Sequence, residues 1–288
     1  MTLRPRKLQL FEQEDINFLV TNFIGRRALT QFMGWFSKIE HPVVRGVSIG
    51  LWRMFADLDL SDAAKQQFHS LHDCFVRELK DGARPIDQRP EVIVSPCDAI
   101  VGACGRIDGD EVLQIKGSPY RLGELLQDQE LVEAHRDGCY ATLRLLSSMY
   151  HHFHAPHDCL VERLTYIAGD VWNVNPATLR RVDRLYCKNE RAVIRTRLAA
   201  TGQPLTLAPV AAVLVASMRF DFLDGPLNLR RGERNDVACS ATLRKGQKMG
   251  WFEHGSTIVV FAPKGVALQD SVCEGARIRV GEPLMRLA

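Results

Sequence analysis

Trp251-Phe252-Glu253-His254-Gly255-Ser256-Thr257-Ile258-Val259-Val260 decides how the chain is read. A Gly-Ser-Thr triplet opens an apolar, β-branched run, the composition of a buried strand. Glycine tolerates strained carbonyl geometry and the next residue carries a hydroxyl, so the junction suits backbone chemistry. An ordinary turn explains the isolated triplet equally well. Only 33 residues follow Gly255.

Working outward, the chain reads as β from Val92 onward. Short apolar runs alternate with Gly, Pro and Asp turns: Val92–Val94, Tyr140–Leu146, Leu160–Ile167, Ala192–Leu198, Ala211–Phe222, Ile258–Phe261 and Ala276–Val280. One helix, Leu122–Asp128, interrupts them. Asp270-Ser271-Val272 and the Gly-flanked run 275–284 resemble the sandwich of biotinyl and lipoyl carrier domains. Before the β region, Ser61–Lys80 is expected as one helix capped by Ser61, with Phe68, Leu71, Phe75 and Leu79 as its stripe. The expected fold class is α+β, with N-terminal amphipathic helices followed by a mostly antiparallel, barrel-sandwich-like β domain.

Residues 1–60 differ from the rest. Ile16, Leu19, Val20, Phe23 and Ile24 recur at helical spacing, and Leu29, Phe32, Met33, Trp35 and Phe36 continue it. Up to residue 55, eight basic residues face four acidic ones, a net +4 that exceeds the +3 of the whole chain. Such faces can lie in an anionic membrane interface or pack on the protein's own core.

A chain of 288 residues, 46% apolar and 25% charged, buries a large core in one or two domains. Its small net charge does not point to nucleic acid. None of the eight cysteines forms a Cys-x-x-Cys pair, and scattered thiols fit a reducing compartment. No apolar run approaches the ~20 residues that span a bilayer, and no secretory signal is expected. A P-loop, a dinucleotide fingerprint and a Gly-x-Ser-x-Gly elbow are all absent from the sequence.

Tyr150-His151-His152-Phe153-His154-Ala155-Pro156-His157-Asp158 holds four of the nine histidines. Imidazoles at this density read as metal ligands, as a functionless surface run, or as general acid–base groups. A carboxylate would orient a basic imidazole, and Asp98, in Ser95-Pro96-Cys97-Asp98, is a candidate. An Asx turn is the plainer role for an aspartate there.

Taken together, these segments resemble the phosphatidylserine decarboxylase family. The likeness is carried by Phe75–Lys80 and Gly82–Ile86, by the Pro-x-Asp element ending at Asp98, and by Ile115–Leu122 with Leu125-Leu126. It continues through the Tyr-His-x-x-His-x-Pro block at Tyr150–Pro156, Val174–Pro176, Asn189–Arg191, and Lys245-Gly246 with Met249-Gly250 leading into Gly255–Thr257. Order and spacing hold from about residue 70 to 265. His254 stands where the family most often has leucine, Ala99 replaces a glycine, and Ala211 and Ala216 lie where glycines are expected.

The resemblance implies a pyruvoyl-dependent carboxy-lyase made as a proenzyme. His154, oriented by Asp98, would remove the Ser256 proton, and the freed oxygen would attack the Gly255 carbonyl. β-Elimination from the resulting ester would release Gly255 as a new C-terminus, and hydrolysis would turn residue 256 into a pyruvoyl group with loss of ammonia. The products would be a large chain 1–255 and a small chain 256–288. His151 would assist decarboxylation or reprotonate the substrate carbon. Implied partners are phosphatidylserine and an anionic membrane surface, with 1–60 as a membrane-associating segment and 61–288 as the catalytic domain. The implied place is peripheral, on the cytoplasmic side of the cell membrane; no metal and no nucleic acid are implied, and a homodimer is compatible. The same chemistry on a non-lipid amino acid, a non-catalytic module and a zinc hydrolase remain alternatives.

Overall fold

The computed structural model describes residues 25–115, 118–213, 218–223, 234–253 and 257–287. The helical pattern read at 16–24, and His254, Gly255 and Ser256, lie outside the described residues.

Helices α1 (Arg26–Phe36), α2 (Pro42–Phe55) and α3 (Leu71–Phe75) come first. Strands β1 (Val92–Val94), β2 (Ala99–Arg106), β3 (Glu111–Ile115) and β4 (Ser118–Arg121) follow, then α4 (Leu122–Leu126) and α5 (Gln129–His135). Next are β5 (Cys139–Arg144), β6 (His152–His154), β7 (Cys159–Ile167), α6 (Pro176–Arg181) and α7 (Leu185–Lys188). The remainder is β: β8 (Arg191–Leu198), β9 (Pro204–Val210), β10 (Met218–Phe220), β11 (Arg234–Leu243), β12 (Lys248–Phe252), β13 (Thr257–Ala262), β14 (Ala267–Leu268), β15 (Arg277–Ile278) and β16 (Pro283–Arg286).

Eight strands make the central sheet, in the order β11-β7-β8-β9-β13-β5-β2-β15, and it does not close into a barrel. All its pairings are antiparallel. Side chains alternate across it, so it is buried on both faces. On one face Leu143, Ile194, Ile258 and Val260 meet the three-stranded sheets β10-β12-β6 and β1-β16-β14, through Phe153, Phe252, Leu284 and Met285. On the other, Val193, Val210, Val259 and Phe261 meet Leu125, Leu131, Leu185 and Tyr186 of α4, α5 and α7. The result is an α+β sandwich, as the strand rhythm led us to expect.

The region 61–80 differs from its expected single helix. Asp59 takes the Ser61 N–H at 2.8 Å, which makes a turn, and Ala63 bridges Leu79. The working cap is Ser70, whose hydroxyl accepts from Asp73 N–H and starts only the short α3. Phe68, Cys74 and Phe75 are still buried, so their spacing records a core contact made by irregular chain. The expected strand at Ala211–Phe222 is likewise displaced: β9 ends at Val210 and β10 covers only Met218–Phe220.

The topology gathers one end of the sheet. Strands β2 and β13 both run antiparallel to β5 between them, so Ala99 and Thr257 begin at the same edge. At that edge β5 ends with Arg144, and eight residues later the chain enters β6 within the histidine block. Residues 98, 151–154 and 257 thus share one end of the fold.

Candidate active site

Asp98, only 6% exposed, stands just before β2. Arg84 grips it with two nitrogens, Nη2 to Oδ2 at 2.6 Å and Nε to Oδ1 at 3.0 Å, and Val280 N–H donates to Oδ1 at 2.9 Å. The same guanidinium donates to Asp62 at 2.9 Å. Burial opposes the Arg84 charge, but the Asp98 and Asp62 carboxylates outweigh it and hold its pKa above the ordinary value. A bidentate pair of this kind fixes the carboxylate in both position and plane.

His154 is held by the backbone. Its N–H donates to the Pro96 carbonyl at 2.8 Å, which ties β6 to the turn that carries Asp98. Its ring Nδ1 lies 2.8 Å from the Gly246 carbonyl, and Nε2 lies 3.1 Å from the Tyr150 hydroxyl. A carbonyl only accepts, so Nδ1 carries the proton and Nε2 presents the lone pair. Burial lowers the His154 pKa, against the Gly246 hydrogen bond, so the ring is neutral near pH 7. A neutral imidazole with a defined lone-pair nitrogen is what a general base requires.

The carbonyl comes from a tight turn. Gln247 N–H closes it on the Arg244 carbonyl at 2.9 Å, and Gly246 occupies its third place at φ +79. A Cβ there would also stand 2.7 Å from Ile86 Cγ1. Glycine is therefore required twice over, by backbone and by space.

His151 is fully buried, its ring centroid 3.9 Å from that of Phe75, and Phe75 stacks in turn on Trp52 of α2 at 5.7 Å. His152 stacks between Tyr150 and Trp251, and its Nε2 meets the Val76 carbonyl at 2.9 Å. His157 Nε2 turns away to the Pro90 carbonyl at 2.8 Å. The four imidazoles thus face different partners. Among the described residues no group of three or more His, Cys, Asp or Glu side chains could hold a metal ion.

Thr257 begins β13 directly opposite Arg144, with Val210 on its other side. It is fully buried, and its Oγ1 has no hydrogen-bond partner among the described residues. The Tyr186 hydroxyl, also buried, is its polar neighbour.

With this geometry in place, the chain can be compared with known proteins. A family model described as phosphatidylserine decarboxylase matches residues 71–286. The chain belongs to the phosphatidylserine decarboxylase family. Proteins named phosphatidylserine decarboxylase proenzyme are 35% identical in Haemophilus influenzae, over 89% of this chain and 91% of theirs, and 37% identical in Vibrio cholerae, over 91% and 95%. One from Pasteurella multocida is 33% identical over 99% of both chains. Membership places the chain among the decarboxylases, which are lyases, and ties it to phospholipid biosynthesis.

The family block Tyr150–Pro156 and Asp98 are brought to one end of the fold, but not in the expected pairing. Asp98 does not hydrogen-bond His154: its oxygens are taken by Arg84 and Val280, and Gly246 is what orients the ring. The sequence reading missed Arg84 as the carboxylate's partner and Gly246 as the imidazole's. A buried carboxylate demands a cation, yet nothing in the spacing selects Arg84 among the chain's basic residues.

Two outcomes follow. Replacing Gly246 by Ala should lower stability by about 1–2 kcal/mol in urea unfolding and remove the Nδ1–H tautomer signature of His154 from histidine nitrogen NMR spectra; an unchanged spectrum would mean that the carbonyl does not set the ring. The second concerns pH. Burial pulls His152 from 6.5 to about 4, so the unfolded chain binds the extra proton between those values and stability rises with pH across that window. Acidification from pH 6.5 to 4 should therefore lower the unfolding free energy, by about 3 kcal/mol for a ring so shifted, and His152→Gln should flatten the slope.

Proposed function

We propose that this chain is a phosphatidylserine decarboxylase that cuts itself between Gly255 and Ser256, converts residue 256 into a pyruvoyl group, and releases carbon dioxide from phosphatidylserine to leave phosphatidylethanolamine. The family match across 71–286 carries the reading. It is supported by the convergence of Asp98, His151 and His154 at the end of the sheet where β13 begins. The proenzyme names of the relatives fit a chain that matures by cleavage.

The chain's own residues suit each step. His154 Nε2 accepts the Ser256 proton, the serine oxygen attacks the Gly255 carbonyl, and the peptide becomes an ester. Thr257 Oγ1, buried beside the Tyr186 hydroxyl, can donate to the oxyanion that forms. Elimination then frees Gly255 as a carboxylate, and water displaces ammonia to leave the ketone. A pyruvoyl group supplies the electron sink that no ordinary side chain offers. His151, packed on Phe75, is placed to serve the substrate carbon. Asp98, fixed by Arg84, holds a negative charge close to the imidazole without binding it.

Helices α1 and α2 supply the membrane contact in this reading. Phe32, Trp35, Val43, Val47, Leu51, Met54 and Phe55 are exposed, and α2 has no buried residue. Between 25 and 56 the sequence carries five basic residues against one acidic. Exposed apolar area rimmed by positive charge suits an anionic lipid surface. Trp52, on the inner side of α2, reaches Phe75 and through it His151. No described helix is long and apolar enough to cross a membrane. In this reading the contact is peripheral, on the cytoplasmic side of the cell membrane.

Intact mass tests the cut. Wild-type protein should give fragments 1–255 and 256–288, the smaller one blocked, whereas Ser256→Ala should stay a single 32.4 kDa chain that releases no carbon dioxide. A wild-type sample that decarboxylates phosphatidylserine while uncut would end the reading. Turnover of free amino acids, with none of the lipid, would move it to a soluble substrate. For the surface, Trp35→Glu combined with Phe55→Glu, at positions 64% and 65% exposed, should weaken binding to phosphatidylserine vesicles about tenfold and leave self-cleavage intact. Equal loss of both would show that these faces pack against protein.

A further inference from the structure

Helix α3 stands between the two N-terminal helices and the histidine block. Its first turn is tied to the end of α1, where His72 N–H donates to the Ser37 carbonyl at 2.8 Å. Its last residue, Phe75, stacks on Trp52 of α2, with ring centroids 5.7 Å apart and ring planes within 19°. The same Phe75 ring meets the His151 ring at 3.9 Å. The chain leaving α3 then grips the block on either side of His151. His152 Nε2 lies 2.9 Å from the Val76 carbonyl, and Arg77 Nη2 donates to the Ser148 carbonyl at 2.8 Å. Residues 148–152 are thus moulded on residues 75–77. His151 and Phe75 are both buried, and closely packed rings shift together when either is displaced.

The helix that backs this stack has little hold of its own. None of the residues of α2 is buried. Its inner stripe, Ile49 and Trp52, is half-buried against Leu60, Phe68 and Cys74. Val43, Val47, Leu51, Met54 and Phe55 are exposed. A segment that buries so little apolar area opens at a small fraction of the global unfolding free energy. A lipid surface that covers the exposed stripe binds only the ordered helix, and so stabilises it by mass action. Leu51 and Trp52, neighbours in sequence, serve the two sides of that helix.

We propose that Trp52 and Phe75 are positioning residues that make turnover depend on lipid contact. An anionic membrane orders α2, Trp52 seats Phe75, and Phe75 sets the His151 ring for its work at the substrate carbon. The proposal rests on the membrane contact and the decarboxylase reading above. Its kinetic signature is specific. A surface that only concentrates the substrate lowers KM, whereas one that aligns a reacting group raises kcat. Misplacement by about 1 Å costs on the order of a hundredfold in rate, so partial loss of order in the stack is enough to register.

The mature protein is assayed on monomeric dihexanoyl phosphatidylserine, with and without micelles of lyso-phosphatidylglycerol, which present an anionic surface and no substrate. The micelles should raise kcat of the wild type about tenfold. Trp52→Ala should still bind them through the exposed stripe, yet gain less than about twofold. Trp52→Phe, which keeps a ring on Phe75, should retain most of the rise. A second readout needs no turnover. In histidine-labelled protein the His151 ring signal, assigned with His151→Gln, should shift when micelles bind to the wild type and stay in place in Trp52→Ala. An unmoved signal in micelle-bound wild type overturns the proposal, and so does an equal rise of kcat in wild type and Trp52→Ala. Loss of micelle binding in Trp52→Ala also overturns it, because Trp52 would then belong to the lipid face itself. Wild-type protein that ignores the micelles ends the membrane contact and this inference with it. Wild-type protein whose His151 signal shifts but which releases no carbon dioxide ends the decarboxylase reading alone.

Discussion

Strand β13 is the constraint on which everything else hangs. It is hydrogen-bonded to β5 on one side and β9 on the other, and all six of its residues are buried. Ile258 and Val260 fill one core while Val259 and Phe261 fill the other. No part of Thr257–Ala262 can shift without breaking two ladders and emptying two cores. The proposed cut after Gly255 would consequently not free the small chain. Residues 256–288 would still supply a central strand of the main sheet, its edge strand β15, and β16, the middle strand of the β1-β16-β14 sheet. The covalent link would be dispensable to the fold because the backbone hydrogen bonds and burial that hold the strand are independent of it.

Charge around the site is partitioned with equal economy. Asp98 has both its oxygens engaged by Arg84 and Val280, so the one buried carboxylate near the histidines among the described residues is fully compensated. Glu78 is similarly engaged by Lys248 at 2.7 Å, and Lys248 lies over the Trp251 ring at 5.1 Å. His152 and His154 are both kept neutral by burial. The two rings are then basic in the chemical sense without being positively charged. That combination lets an imidazole accept a proton and favours a reaction that discharges a carboxylate.

Legibility of the sequence followed the range of the interactions. Strands β1, β7, β8 and β13 were readable because each buries a run of β-branched or large apolar side chains. Strand β9 was hidden by its prolines at 204 and 209, and β11 by small residues whose exposure alternates too weakly to register. In 61–80 the apolar spacing imitated a helix because irregular chain can present the same positions to a core. At the site, the histidine block was legible because its members are neighbours in sequence. The contacts that orient them were not. Arg84 reaches Asp98 across 14 positions and Gly246 reaches His154 across 92, and no local pattern encodes either pairing.

Tyr150 shows how the pieces act together. Its hydroxyl lies 3.1 Å from His154 Nε2, the nitrogen left with the lone pair once Nδ1 is committed to Gly246. Burial raises the Tyr150 pKa, with the Glu78 and Asp98 charges adding to it, so this phenol donates a hydrogen bond but does not ionise near neutrality. It therefore occupies the base nitrogen without taking part in proton transfer. The ring is held in place by stacking on His152 at 4.8 Å. A serine hydroxyl that is to lose its proton to Nε2 must take the place of Tyr150, because a neutral imidazole offers one lone pair. Until then the phenol keeps that nitrogen oriented and shielded from water, at the cost of one neutral hydrogen bond when it is exchanged. In the proposed cleavage the resting arrangement and the reactive one would differ by the identity of a single hydroxyl donor, and everything that positions the imidazole would stay where the fold has put it.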